Sequence, residues 1–129
     1  MTQIIDKTKW NLFLNEKTRD FEDWETTVRV LNNDTGSQIM SDGLPFSGLS
    51  LEEIDGNVMI ELTVGMGTNN HQTHSIAEPR SIAFEPYGDE SAGTLDIEDA
   101  SGTKTLITFN KPAGLPVKYP DSQVLRVAK

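Results

Sequence analysis

Cysteine is absent from the 129-residue chain, which excludes disulfide staples, thiolate metal sites and cysteine nucleophiles. Histidine is nearly as scarce, His71 and His74 being the 2 that the sequence contains. A metal centre therefore has no third imidazole, and a carboxylate such as Glu78 would have to complete the ligand set. Long apolar runs are missing too. Stretches such as Val58-Met59-Ile60 fall far short of the roughly 20 residues that cross a bilayer as a helix. The opening Met1-Thr2-Gln3-Ile4-Ile5-Asp6-Lys7 lacks the apolar core of a signal peptide. The expectation is a cytoplasmic protein with no membrane partner. Positive charge is also in short supply: Lys and Arg number 11 against 20 Asp and Glu, a formal net charge of −9. Phosphate backbones repel such a chain, so nucleic acid is not an expected partner. The charge acts mainly on solubility, although an acidic, inhibitor-like surface could dock on a basic partner.

What the sequence does contain is a rhythm. From about Trp24 to Phe109, short runs alternate apolar with polar residues and are cut by Gly, Asp and Asn, the pattern of antiparallel strands and tight turns. Val58, Ile60, Leu62 and Val64 fall on one face, with Met59, Glu61 and Thr63 on the other. Asp55-Gly56 ahead of them has the chemistry of a tight turn with positive φ. Leu95 and Ile97 point inward opposite Asp96 and Glu98, and Asp99-Ala100-Ser101-Gly102 should turn that strand into Lys104–Phe109. Thr26–Asn32 reads as the first strand. Ile39-Met40 reads as a short apolar pair, and Leu44-Pro45-Phe46 as an irregular stretch at an edge or a crossing.

Before the strands, Trp10, Phe13, Leu14 and Phe21 recur at helical spacing behind a capping Thr8 or Asp6, and so predict a short amphipathic helix whose aromatic stripe needs a sheet to cover. The expected fold is mainly β (α+β): an N-terminal helix on an antiparallel meander of about six or seven strands, strongly twisted or closing toward a barrel. Residues 1–129 read as a single domain, with a helical segment at 1–22, the β domain at 24–110 and a proline-containing tail at 111–129.

No motif carries chemistry. Gly65-x-Gly67-x-x-Asn70 lacks the third glycine and the following helix of a dinucleotide-binding turn, so no cofactor is expected. Gly48-Leu49-Ser50-Leu51-Glu52 lacks the closing glycine of a nucleophile elbow. A calcium loop built around Asp99–Gly102 would have to begin at Ile97 and end at Thr108, neither of which suits it. His71 and His74 would share a face on a helix, but on a strand they project to opposite sides. The carboxylate pairs Asp96/Glu98 and Glu52/Glu53 read as solvated surface.

Trp10-x-x-Phe13-Leu14, Leu44-Pro45-x-x-Gly48, His74-x-Ile76-x-x-Pro79, Leu95-x-Ile97 and Gly102-x-x-x-Leu106-Ile107-x-Phe109 together resemble a bacterial family of small domains of unknown function. The resemblance implies no activity and no catalytic residue, and it directs attention to the segment His74 to Pro79.

The sequence thus predicts a non-catalytic binding or structural module whose contacts lie on the loop Met66 to His74, with Asn69, Asn70, His71, His74 and Glu78 as candidate residues. Its partner would be an unidentified protein or small molecule, and an open edge strand suggests a homodimer. The competing reading is a metal-assisted or small-molecule enzyme centred on His71, His74 and Glu78.

Overall fold

The computed structural model describes residues 2–66, 70–86 and 93–112. Its elements are β1 (Gln3–Ile4), a 3-10 turn (Lys7–Lys9), α1 (Trp10–Asp20), β2 (Trp24–Asn32), β3 (Gly36–Ile54), β4 (Asn57–Met66), β5 (Asn70–Ala77), β6 (Pro79–Pro86), β7 (Gly93–Asp99) and β8 (Lys104–Pro112). Among the described residues these strands form one 8-stranded antiparallel sheet in the order β1-β6-β7-β8-β2-β3-β4-β5.

That order corrects the expected topology in three ways. The chain makes two meanders, β2-β3-β4-β5 and β6-β7-β8, and the last strand returns to pair with the first long one, Leu31 opposite Lys104 and Thr26 opposite Phe109. The sheet is not closed into a barrel, because β1 and β5 remain as its two edges. Two-residue β1 pairs with β6, Gln3 opposite Phe84, and is too short to show any periodicity in sequence.

The stretch from Ile39 to Leu51, expected as a short apolar pair and an irregular segment, lies within the single 19-residue strand β3. Along Gly36–Pro45 β3 pairs with β2, and along Phe46–Ile54 it pairs with β4. Register shifts on both sides of the change let the strand bend. Pro45 sits at that change of partner, where a missing N–H interrupts no continuous ladder, as a crossing requires. A second bend lies at Glu78, whose φ of 53° joins β5 to β6. Its N–H donates to Val58 O (3.1 Å), and its carbonyl accepts from Ala100 N (3.0 Å).

The turns follow their residue types. Asp55 and Gly56 take φ of 53° and 82°, the all-positive pair of a two-residue hairpin. Asp99 Oδ1 accepts from Ser101 N (2.9 Å), Ser101 Oγ (2.7 Å) and Thr103 N (3.1 Å), which fixes the β7–β8 turn. Asp6 caps the 3-10 turn that precedes the helix: its Oδ1 accepts from the N–H (3.0 Å) and the hydroxyl (2.9 Å) of Thr8, while the N-cap of α1 itself is Lys9, which makes no side-chain cap bond. The bonds from Thr8, the backbone one foremost, hold the Asp6 carboxyl below the usual Asp range.

The core forms where the bent sheet and α1 meet. Trp10, Leu14 and Phe21 are buried with Phe46, Ile60, Leu62, Val64, Ile82, Phe84, Leu95, Ile97, Ile107 and Phe109. Phe21 stacks on Phe109 with ring centroids 4.1 Å apart, and Phe46 meets the same ring edge-on at 5.0 Å. Lys17 lays its ammonium 4.7 Å from the centroid of Phe84. Thr18 binds α1 to β3: its hydroxyl accepts from Leu49 N (3.0 Å) and lies within bonding distance of the carbonyls of Leu14 (2.8 Å) and Leu49 (3.1 Å). No described helix is long and apolar enough to cross a membrane.

Gly93 opens β7 against β6, and a Cβ there would lie 2.6 Å from both Glu85 O and the Phe84 ring. A Gly93→Ala substitution is therefore expected to destabilise the protein by about 1–3 kcal/mol, read as a lower urea midpoint in chemical denaturation. An unchanged midpoint would contradict this packing.

Candidate functional site

β5 brings the candidate residues into the fold as strand, where a loop was expected. His71 and His74 lie in a ladder with β4 that runs without a register shift from Met59 opposite Ala77 to Met66 opposite Asn70. Asn69 lies outside the described residues, as does the remainder of the expected loop at 67–69, and Asn70 is the first residue of the strand. His71 is exposed on the outer side and His74 is half-buried on the inner side, so the two imidazoles project from opposite faces. Glu78 is exposed at the left-handed corner beyond the strand. The three residues are not brought together, and no group of three or more metal-ligating side chains occurs among the described residues.

His74 instead spans the interior. Its Nε2 lies 3.3 Å from the hydroxyl of buried Thr105 on β8, a contact between the edge strand β5 and the middle of the sheet. Burial lowers its pKa from the ordinary histidine value, and the nearby negative charge of Asp99 offsets part of that effect. The imidazole is thus held neutral around neutral pH. His74, Gln72, Met40 and Ser41 line a narrow cleft with Val28, Leu62 and Val64. Ser41 is 8% exposed, and its hydroxyl has no hydrogen-bond partner among the described residues. The cleft measures about 10 Å³, the room of a single water molecule and far below the roughly 300–1,000 Å³ of a small-molecule pocket. Ser41 escaped sequence reasoning because it comes to line the same cleft as His74 only through the bend of the sheet, which no local spacing encodes.

Two larger depressions lie elsewhere. One, of about 340 Å³, runs between β1 and α1 past Ile4, Ile5, Leu12 and Phe13. The other, of about 300 Å³, lies on the outer face of β6-β7-β8, with Thr2, Ala83, Glu85, Thr94, Asp96 and Leu106 around it. Its floor departs from the expected solvated surface: Asp96 Oδ1 is buried without a hydrogen-bond partner among the described residues, and Lys104 Nζ lies 4.0 Å from Oδ2. Burial pushes the Asp96 carboxyl pKa up, Lys104 lowers it and Glu98 adds to the rise. Glu98 itself pairs with Arg80 at 3.8 Å.

The most distinctive feature of β5 is its outer edge. Glu78 N–H bonds Val58 O, and the pairing of residues 58 and 78 continues as Ile60 with Ile76 and Leu62 with His74. In an antiparallel ladder directly opposed residues bond at every second pair. The even-numbered residues of β5 therefore bond to β4, and Thr73, Ser75 and Ala77 direct their N–H and C=O groups away from the sheet. β5 contains no proline and no Lys, Arg, Asp or Glu, so it lacks the usual guards of an edge strand. The opposite edge is guarded by brevity: β1 has 2 residues and is followed closely by Asp6 and Lys7.

The family of unknown function DUF5335 matches residues 1–118, and the chain belongs to that family. A similar protein from the bacterium Aquifex aeolicus (strain VF5), described only as an uncharacterized protein, is 23% identical over 115 residues, covering 89% of this chain and 97% of its own length. No solved structure matches.

Two titrations report on these environments. His74 has a folded pKa below its unfolded value, so the unfolded state takes up its proton first as pH falls. Stability from a neutral His74 is complete above about pH 6.5 and is expected to decline below it. A His74→Gln variant should show a flatter melting temperature between pH 7.5 and 5.5 by calorimetry, and an equal slope would contradict the assignment. Asp96 has the opposite sign: its raised pKa costs stability when the group is charged and relieves that cost as pH falls through the folded pKa. Asp96→Asn should raise the melting temperature at pH 7 by less than about 4 °C, with the gain vanishing in acid.

Proposed function

We propose that this protein is a non-catalytic, cytoplasmic binding module that receives an extended segment of a partner along the outer edge of β5. The observation that carries this reading is the eight-residue, proline-free and uncharged edge with the backbone groups of Thr73, Ser75 and Ala77 directed outward. Strand addition draws affinity from main-chain hydrogen bonds and selectivity from alternate side chains. On this edge those side chains are exposed Thr73, Ser75 and Ala77 on one face, with Gln72 and His74 on the other. The candidate residues His71 and His74 thereby act as flanking contacts on a rigid strand, with no role as metal ligands. A cleft of about 10 Å³ beside His74 favours a partner lying on the edge over a metabolite entering the interior. The fold holds together through burial with no disulfide, in keeping with a reducing compartment.

Selection of displayed random peptides against the full chain tests this reading. Binders are expected, and Thr73→Pro should weaken them at least about tenfold by removing one outward N–H and filling the edge with a ring. The same variant should keep the fold, because proline is tolerated where the N–H faces away from the sheet. Binders that ignore Thr73→Pro but are lost on Asp96→Asn would move the binding surface to the outer face of β6-β7-β8 and overturn the proposal.

A further inference from the structure

We infer that the extended segment β5 receives is β5 of a second copy of this chain, the two strands pairing antiparallel about a two-fold axis. This rests on the edge-binding reading and specifies its partner. Three observations support it.

The first is charge. Each copy carries a net −9, so two copies repel over most approaches. Along Asn70–Ala77 there is no carboxylate, and the acidic residue nearest in sequence, Glu78, lies beyond the end of the strand at the bend. Glu61 of β4 reaches this edge, its Oε2 3.5 Å from Ser75 Oγ, but it stands one strand back, so contact along β5 opposes no like charges between the two paired strands themselves.

The second is symmetry. An edge that pairs with itself gives an isologous contact that closes at two copies. Pairing of β5 with β1 of another molecule would leave an open chain of molecules, and β1 offers 2 residues against the 8 of β5. Closure through β5 uses up the unguarded edge and leaves only the short one.

The third is register. Thr73 and Ser75 both direct backbone groups outward, so they can form directly opposed bonded pairs. Placing the two-fold axis at His74 sets Thr73 of one copy opposite Ser75 of the other, twice, which pairs hydroxyl side chains across the new ladder. The ladder of β5 with β4 shows no register shift, so the strand offers the regular geometry that such pairing needs. A contact confined to one strand falls below the about 1,200 Å² of a standard stable interface, and the dimer is accordingly reversible and concentration-dependent.

Sedimentation equilibrium of the full chain across ionic strength reads this out. The expected result is twice the chain mass of 14.3 kDa with a micromolar dissociation constant that falls as salt rises, since screening relieves repulsion between the copies. Thr73→Pro and Ser75→Lys should each raise that constant at least about tenfold, with circular dichroism and melting temperature retained in at least one of them. If Thr73→Pro fails to fold, Ser75→Lys decides. Hydrogen exchange at the Thr73, Ser75 and Ala77 amides should slow as protein concentration increases. A chain that stays monomeric to about 1 mM, a dimer that survives both substitutions, or edge amides protected equally at every concentration overturns the inference. Monomeric protein that still selects strand-like peptides sensitive to Thr73→Pro would defeat the second copy as partner while leaving edge binding intact; loss of both would defeat the two together.

Discussion

The architecture depends on one strand belonging to two ladders. β3 pairs with β2 as far as Pro45 and with β4 from Phe46 onward, so the halves of the sheet face each other across the buried side chains. Phe46, the first residue past the change, is fully buried and meets the Phe109 ring that Phe21 also covers. The bend, the helix end and the last strand thus converge on one aromatic cluster, each large ring contributing on the order of 2 kcal/mol or more of burial. Thr18 and Gly48 complete the junction: a Cβ at Gly48 would lie 3.3 Å from the Thr18 methyl, so the helix rests close against the strand just past its bend.

Much of this was legible from local chemistry. Of the inward set Val58, Ile60, Leu62 and Val64 read from alternation, the last three are buried and Val58 is half-buried; the Asp55-Gly56 turn followed from its need for positive φ, and the aromatic stripe of α1 from its spacing. What was not legible was partnership. Alternation tells a strand which face is buried but carries no information on which strand lies beside it, so the return of β8 to β2 and the two-residue β1 could not be read. The same limit governs the site. The opposite projection of His71 and His74 follows from strand periodicity, whereas the approach of His74 to Thr105 and its place beside Ser41 depend on the bend of the sheet.

Buried polar groups are concentrated where the two halves of the sheet meet. His74 reaches Thr105 across the interior, Thr26 donates to Leu44 O at 2.7 Å close to the bend of β3, and Ser41 lines the cleft between them. An apolar interior would tolerate sliding of one layer on the other, while hydrogen bonds with fixed partners favour one alignment. The half-buried His74, bonded to Thr105, is thus accounted for by alignment of the layers. The exposed edge of β5 is left with no such internal role, which is why it bears the functional reading.

The pairing of β8 with β2 also governs how the molecule comes to be folded. Strands β2 to β5 meet through neighbours in sequence and can zip together early, as can β6 to β8, but the central ladder joins residues as distant as Trp24 and Pro112. Closing so long a loop is slow, and until it closes each half-sheet exposes the apolar face that the other will cover. During synthesis the first half-sheet must wait for β8 to emerge, a window in which its apolar face has no cover.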